Sequence, residues 1–156
     1  MDDSAQPATA VDAHYVREGA ADARTVARIR GDFSAWIHRC LAVDEERISD
    51  IVLAVNEALS NSAEFAYVGS AESGSMIIEA HHDAATATLD IVVTDQGAWY
   101  CGVPPPRHDT RGRGIALMRA LADSVTIDSS SDGTRVTMRF RNCASVPHRP
   151  GAMSDA

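Results

Sequence analysis

The sequence predicts an α+β two-layer sandwich, a mixed β-sheet with helices packed on one face. Three observations predict it. Apolar residues recur at three- and four-residue spacings in two long stretches and a short one, while the segments around them alternate at period two. The 156 residues fit one domain of ordinary size, and 45% of them are apolar, enough to bury a real core. No internal repeat is visible, and no apolar run approaches the roughly 20 residues that span a bilayer.

The elements follow in order. Val11 to Val16 reads as a short first strand. From Ala20 to Leu41, Val26, Ile29, Phe33, Ile37 and Leu41 form a helical stripe. Asp44 then suits an N-cap, with Glu45 and Glu46 placed favourably in the first turn. Ile48, Ile51, Val52, Val55, Leu59, Ser62 or Ala63, and Ala66 make a second stripe, ending near Tyr67 with Gly69 beyond. Ser75 to His81 and Thr86 to Thr94 read as a hairpin whose tip is HHDAA. Residues 95–111, DQGAWYCGVPPPRHDTR, form a proline-rich loop, and Gly112 to Ala122 a short helix. Ser124 to Asp128 and Thr134 to Phe140 alternate about an Asp132-Gly133 turn. Residues 1–10 and 142–156 lack periodicity and read as mobile tails around a domain at 11–141.

Charge excludes several functions. The 22 acidic and 14 basic residues, all of the latter arginine, give a formal net charge of −8. Such a chain with no basic run lacks the phosphate-neutralising surface of a nucleic-acid binder and the basic amphipathic stretch of a membrane-surface protein. The N-terminal MDDSAQPATA is acidic and polar, unlike a secretion signal, so a cytoplasmic location is expected. Cys40, Cys101 and Cys143, an odd number without CxxC spacing, speak against a disulfide framework and a structural zinc site, and each is expected to be a buried or incidental thiol.

Four segments can carry chemistry. In NEALSN, with Val55 at the centre of the buried stripe, a helix turning about 100° per residue puts Glu57 near 200°, Asn61 near 240° and Glu64 near 180°. All three fall on the face away from that stripe, which by itself reads as a solvated polar face. Glu57 and Asn61 are four apart and so neighbours; one offers a carboxylate base, the other an amide oxygen suited to a hard cation. In IVVTDQG, Asp95 ends a strand, where an acid can accept a hydrogen bond from an exocyclic amine, and Gly97 permits close backbone approach to a flat ligand. In TRGRGIALMRAL, two glycines open a helix between arginines, which favours phosphate, although neither the P-loop nor the G-x-G-x-x-G spacing is present. In DGTRVTMRF, a turn feeds a final strand that starts at Thr134.

The order and spacing of the four segments resemble the GHKL ATPase family, which uses the Bergerat ATP-binding fold, and within it the anti-sigma factor serine/threonine kinases of the RsbW and SpoIIAB type. The resemblance covers roughly residues 11–141. VNEALSNSAEFAY resembles the family's N-box, implying Glu57 as catalytic base and Asn61 as Mg²⁺ ligand. VVTDQG resembles the first glycine box, implying that Asp95 and Gly97 read adenine. RGRGIALMRALAD resembles the second, implying that Arg111, Gly112, Arg113, Gly114 and Ile115 hold phosphates, and Thr134 in DGTRVTMRF would also contact ATP. Three features depart from the family's pattern: Ala98 and Trp99 replace the second half of DxGxG, Phe65 stands where the family has His, and the lid is short and proline-rich.

The resemblance implies ATP and Mg²⁺ as cofactors, a sigma factor as one partner, and a STAS-type anti-anti-sigma protein as the phosphorylated one. Homodimers are common in the family. The alternative is a nucleotide-dependent sigma-factor binding module without kinase activity, which the abbreviated glycine box and lid favour. His81-His82 lacks an acidic or cysteine partner at ligand spacing and is expected at a hairpin tip.

Overall fold

The structure, a computed structural model, describes residues 11–67, 74–97 and 111–147. The elements run β1 (Ala13–Ala20), α1 (Ala23–Cys40), α2 (Glu45–Phe65), β2 (Ser75–Asp83), β3 (Thr88–Asp95), α3 (Arg111–Leu121), β4 (Ser124–Ser130) and β5 (Gly133–Phe140). They form the expected two-layer sandwich. α2 packs against both α1 and α3. The sheet offers the helices one alternating face, where Met76, Ile78, Leu89, Ile91, Val93, Val136, Met138 and Phe140 are all buried. Phe33, Ile37, Ile51, Val55, Leu59 and Met118 meet them from the helical layer. Tyr15, Phe33 and Trp36 form an aromatic cluster at the α1 side, with centroids 5.3–5.8 Å apart.

The sheet departs from expectation in its pairing. Its order is β1-β2-β3-β5-β4, and every described pairing is antiparallel rather than mixed. Two consecutive helices separate β1 from β2, so the chain returns to the end of the sheet that it left and β2 runs back against β1. β3 and β4, joined through the single helix α3, are parallel, but β5 lies between them and pairs antiparallel with both.

Boundaries move for local reasons. β1 begins and ends later than expected because it pairs with β2 along its whole length, from Ala13↔His82 to Ala20↔Ser75. Asp22 then starts α1, accepting from the Thr25 N–H at 2.7 Å, and this bond holds its carboxyl below the usual aspartate range. Asp44 caps α2 as expected, accepting from the Arg47 N–H at 2.8 Å.

His81 and His82 do not form a hairpin tip: both lie inside β2, and the turn falls at 84–87. Alternation explains it, because Met76, Ile78, Ala80 and His82 all face the helices. His82 is fully buried and its Nε2–H donates to the Cys143 carbonyl at 2.6 Å. That carbonyl belongs to a segment expected to be a mobile tail. Residues 142–147 are instead tied to the domain by backbone hydrogen bonds, with Cys143 buried: the Cys143 N–H donates to Ala87 O at 2.8 Å, Ala42 N–H to Ala144 O at 2.8 Å, and Val146 N–H to Cys40 O at 2.9 Å. Residues 1–10 and 148–156, the rest of the expected tails, lie outside the described residues, as do Gly69, Cys101 and most of the loop at 95–111.

Candidate functional site

The chemistry-bearing residues converge where the C-terminal half of α2, the end of β3, the start of β5 and the first turn of α3 meet. α2 supplies Glu57, Asn61 and Ser62 on neighbouring faces. Glu57 is half-buried, but Asn61 is 4% exposed and Ser62 1%, so the solvated face expected for Asn61 is not observed. The reason is α3. A Cβ placed on Gly114 would lie 2.9 Å from Glu57 Oε2 and 3.4 Å from Asn61 Oδ1, so the first turn of α3 rests directly on the Glu57–Asn61 pair. Glycine is what lets the backbone come so near.

This corner has an open hydrogen-bonding account. Among the described residues, Asn61 Nδ2 is the buried side-chain polar atom that has no partner. An orphaned buried amide costs about 1–3 kcal/mol, which a packed core has no reason to retain. The first N–H groups of a helix have no intrahelical acceptor, and the helix dipole makes that end attract anions. A carboxylate, an amide and a helix N-terminus therefore share one small space. A half-turn of the Asn61 amide exchanges its oxygen for its nitrogen, so the group can ligate a hard cation or donate to an anion. Among the described residues no group of three or more His, Cys, Asp or Glu side chains is placed to hold a metal on its own. The donor set fits an ion such as Mg²⁺, which takes one or two protein ligands and completes its shell with water and phosphate oxygens.

The end of β3 is built differently. Asp95 is 3% exposed. Its Oδ2 accepts from the Ser62 hydroxyl at 2.7 Å and its Oδ1 from the Gly97 N–H at 3.1 Å. The Gln96 N–H donates to the Tyr67 hydroxyl at 3.1 Å, and that hydroxyl donates to Ser75 O at 2.6 Å. A Cβ at Gly97 would overlap the Ala66 carbonyl. Gly97 thus admits the backbone of α2's own C-terminus, a use the sequence reading assigned to a ligand. Thr134 is buried and stands opposite Asp95 in the β3–β5 register, with its Oγ1 3.2 Å from Ser129 Oγ. A Cβ at Gly133 would overlap the Asp95 carbonyl.

Glu57, Asn61, Asp95, Gly97, Gly114 and Thr134 are therefore drawn together through α2. Arg113 is exposed and Ile115 half-buried against the core. Arg111 and Gly112 lie in the first turn of α3, with side-chain surroundings outside the described residues. Sequence reasoning missed Ser62, Tyr67 and Gly133. Ser62 left a signal: it is a polar residue on the apolar stripe, and a buried hydroxyl needs a partner. A groove of about 390 Å³ lined by Ala23, Arg30, Asn56 and Glu64 lies on the α1 side of α2 and shares no residue with this site.

Residues 19–140 match the family model described as histidine kinase-like ATPase domain, and the chain belongs to that family. Its fold is similar to the crystal structure of the RsbU and RsbW domains of Rv1364c from Mycobacterium tuberculosis, with a TM-score of 0.66 and 21% identity over 88% of this chain and 34% of that one. It is also similar to the histidine kinase domain of the Erythrobacter litoralis EL346 blue-light activated histidine kinase, with a TM-score of 0.50 and 18% identity over 76% of this chain and 59% of that one. The chain spans about a third and about three-fifths of the length of these two proteins. No helix among the described residues is long and apolar enough to cross a membrane.

Proposed function

With membership of the histidine kinase-like ATPase family as premise, we propose that this chain is an anti-sigma factor serine/threonine kinase. It binds ATP with Mg²⁺, sequesters a sigma factor, and phosphorylates a serine of a STAS-type anti-anti-sigma protein. The observation that carries the reading is the Glu57–Asn61 pair beneath Gly114 in the first turn of α3. Phosphoryl transfer asks a protein mainly for positioning and charge neutralisation, and this corner joins a base, a cation-ligating amide and an anion-attracting helix end.

In this reading Asp95 accepts a hydrogen bond from the exocyclic amine of adenine, and Thr134 lies beside it. Backbone N–H groups from Gly112 to Ile115, with the Arg111 and Arg113 guanidinium groups, hold the phosphates. Asn61 would hold Mg²⁺, which when bound would offset negative charge on the phosphates. Glu57 accepts the proton of the substrate serine hydroxyl as the serine oxygen bonds to the γ-phosphorus, and the bond from that phosphorus to the β,γ-bridging oxygen breaks to leave ADP. The first turn of α3 and the half-buried position of Glu57 limit water around the reacting groups.

Incubation with γ-labelled ATP and a panel of STAS-domain proteins tests the proposal. Label on a serine of one member supports the kinase. Nucleotide-dependent capture of a sigma factor, with no label on any member, makes the chain the alternative, a binding module without kinase activity.

A further inference from the structure

The Asp95 carboxylate is held by donors of this chain on both of its oxygens. The hydroxyl of Ser62 donates to Oδ2 at 2.7 Å while the Gly97 N–H takes Oδ1, so two donors fix different oxygens and set both the rotamer and the plane of the carboxylate. A hydroxyl-to-carboxylate bond this short is charge-assisted and among the stronger side-chain bonds. Both partners are nearly inaccessible, at 1% and 3% exposure, so water does not compete for them. Ser62 also sits in mid-helix, one residue after Asn61. Its bond therefore ties the carboxylate to α2 rather than to the loop that follows β3.

We propose that Ser62 is a specificity-determining positioning residue. By donating to Asp95 Oδ2 it fixes the plane in which the carboxylate accepts, and so selects nucleotides whose purine carries a 6-amino group over those carrying a 6-oxo group. The inference rests on the reading of Asp95 as the base-recognising acid. Without the hydroxyl, the carboxylate turns toward other donors, and only the ligand contact that needs its aim is weakened. ATP then loses affinity towards that of ITP, which has no 6-amino group to lose, while ITP binding stays where it was.

Calorimetric titration with ATP·Mg and ITP·Mg, on the unaltered protein, Ser62→Ala, Asp95→Asn and the double variant, tests this, with unliganded melting as the fold control. The unaltered protein is expected to prefer ATP. Ser62→Ala should cut that preference roughly fivefold or more, about one hydrogen bond's worth, at unchanged ITP affinity. In the Asp95→Asn background the serine substitution should leave the preference alone. Should Ser62→Ala not melt cooperatively, Ser62→Cys, with its weaker donor, replaces it and should show a smaller drop of the same kind. An undiminished ATP preference in either variant overturns the role of Ser62 and leaves the adenine reading standing. A serine effect of equal size without Asp95 also overturns it, because Ser62 would not act through the carboxylate. Equal affinity for both nucleotides in the unaltered protein overturns the adenine reading and this inference together.

Discussion

The two ends of the candidate site are finished to different degrees. At the end of β3 the buried polar groups are engaged: Asp95 accepts from Ser62 and Gly97, and the Tyr67 hydroxyl accepts from the Gln96 N–H and donates to Ser75 O. At the first turn of α3, Asn61 keeps an orphaned buried amide nitrogen, and Glu57 lies under a glycine that leaves it little room. Among the described residues the β3 end has no orphaned buried side-chain polar atom, whereas the α3 end has one, Asn61 Nδ2. The contrast suits a division of labour in which the β3 end recognises by fixed shape and the α3 end gains its interactions when phosphate and cation arrive.

The largest expected effect lies at the α3 end. Glu57→Gln should slow phosphate transfer by about 10²–10⁴-fold, because the amide has no proton affinity to offer a serine hydroxyl, while stability stays within about 0.5 kcal/mol. Next come the two glycines, which the contrast predicts will behave oppositely. Gly97→Ala drives a Cβ into the Ala66 backbone carbonyl, which cannot swing away, and should cost about 3 kcal/mol or more of stability by chemical denaturation. Gly114→Ala crowds the movable tip of Glu57, meets the Asn61 amide at ordinary contact distance and gains helix propensity, so stability should hold or rise by up to about 1 kcal/mol while ATP·Mg binding weakens.

Tyr67→Phe strips the β3 end of two hydrogen bonds at once and should lower stability by about 1–3 kcal/mol. The smallest stability change belongs to Asn61→Ala, under about 1 kcal/mol, since the lost packing is offset by removal of an orphaned amide. That variant should nevertheless lose the Mg²⁺ dependence of ATP binding, read as an EDTA-insensitive thermal shift with ATP. A large stability loss in Asn61→Ala, or none in Tyr67→Phe, would erase the difference between the two ends.

The sequence made the fold legible wherever one element decides its own pattern. The stripes of α1 and α2, the Asp44 cap and the alternation of β3 and β5 are local, and each was readable within a few residues. Pairing was not. The antiparallel sheet follows from a helical pair returning the chain to its starting edge and from β5 entering between β3 and β4, and neither is written in periodicity. His82 shows the same limit, because its place in the core depends on a carbonyl 61 residues away. The site divides similarly. Four-residue spacing makes Glu57 and Asn61 neighbours, but α3, fifty residues on, decides that Asn61 is buried. The role of Ser62 was hidden because its partner is on β3, although a hydroxyl on an apolar stripe already asked for one.

The central claim, that one end reads the base and the other moves the phosphoryl group, is tested most directly by one paired measurement on Glu57→Gln and Asp95→Asn. ATP affinity and single-turnover transfer at saturating ATP to the serine of the proposed STAS-type substrate are determined on the same preparations. Glu57→Gln should bind ATP as the unaltered protein does and transfer at least tenfold more slowly. Asp95→Asn should bind ATP more weakly yet transfer at nearly the unaltered rate once saturated. Transfer by Glu57→Gln at the unaltered rate, or a loss of affinity and rate together in both variants, would contradict the account.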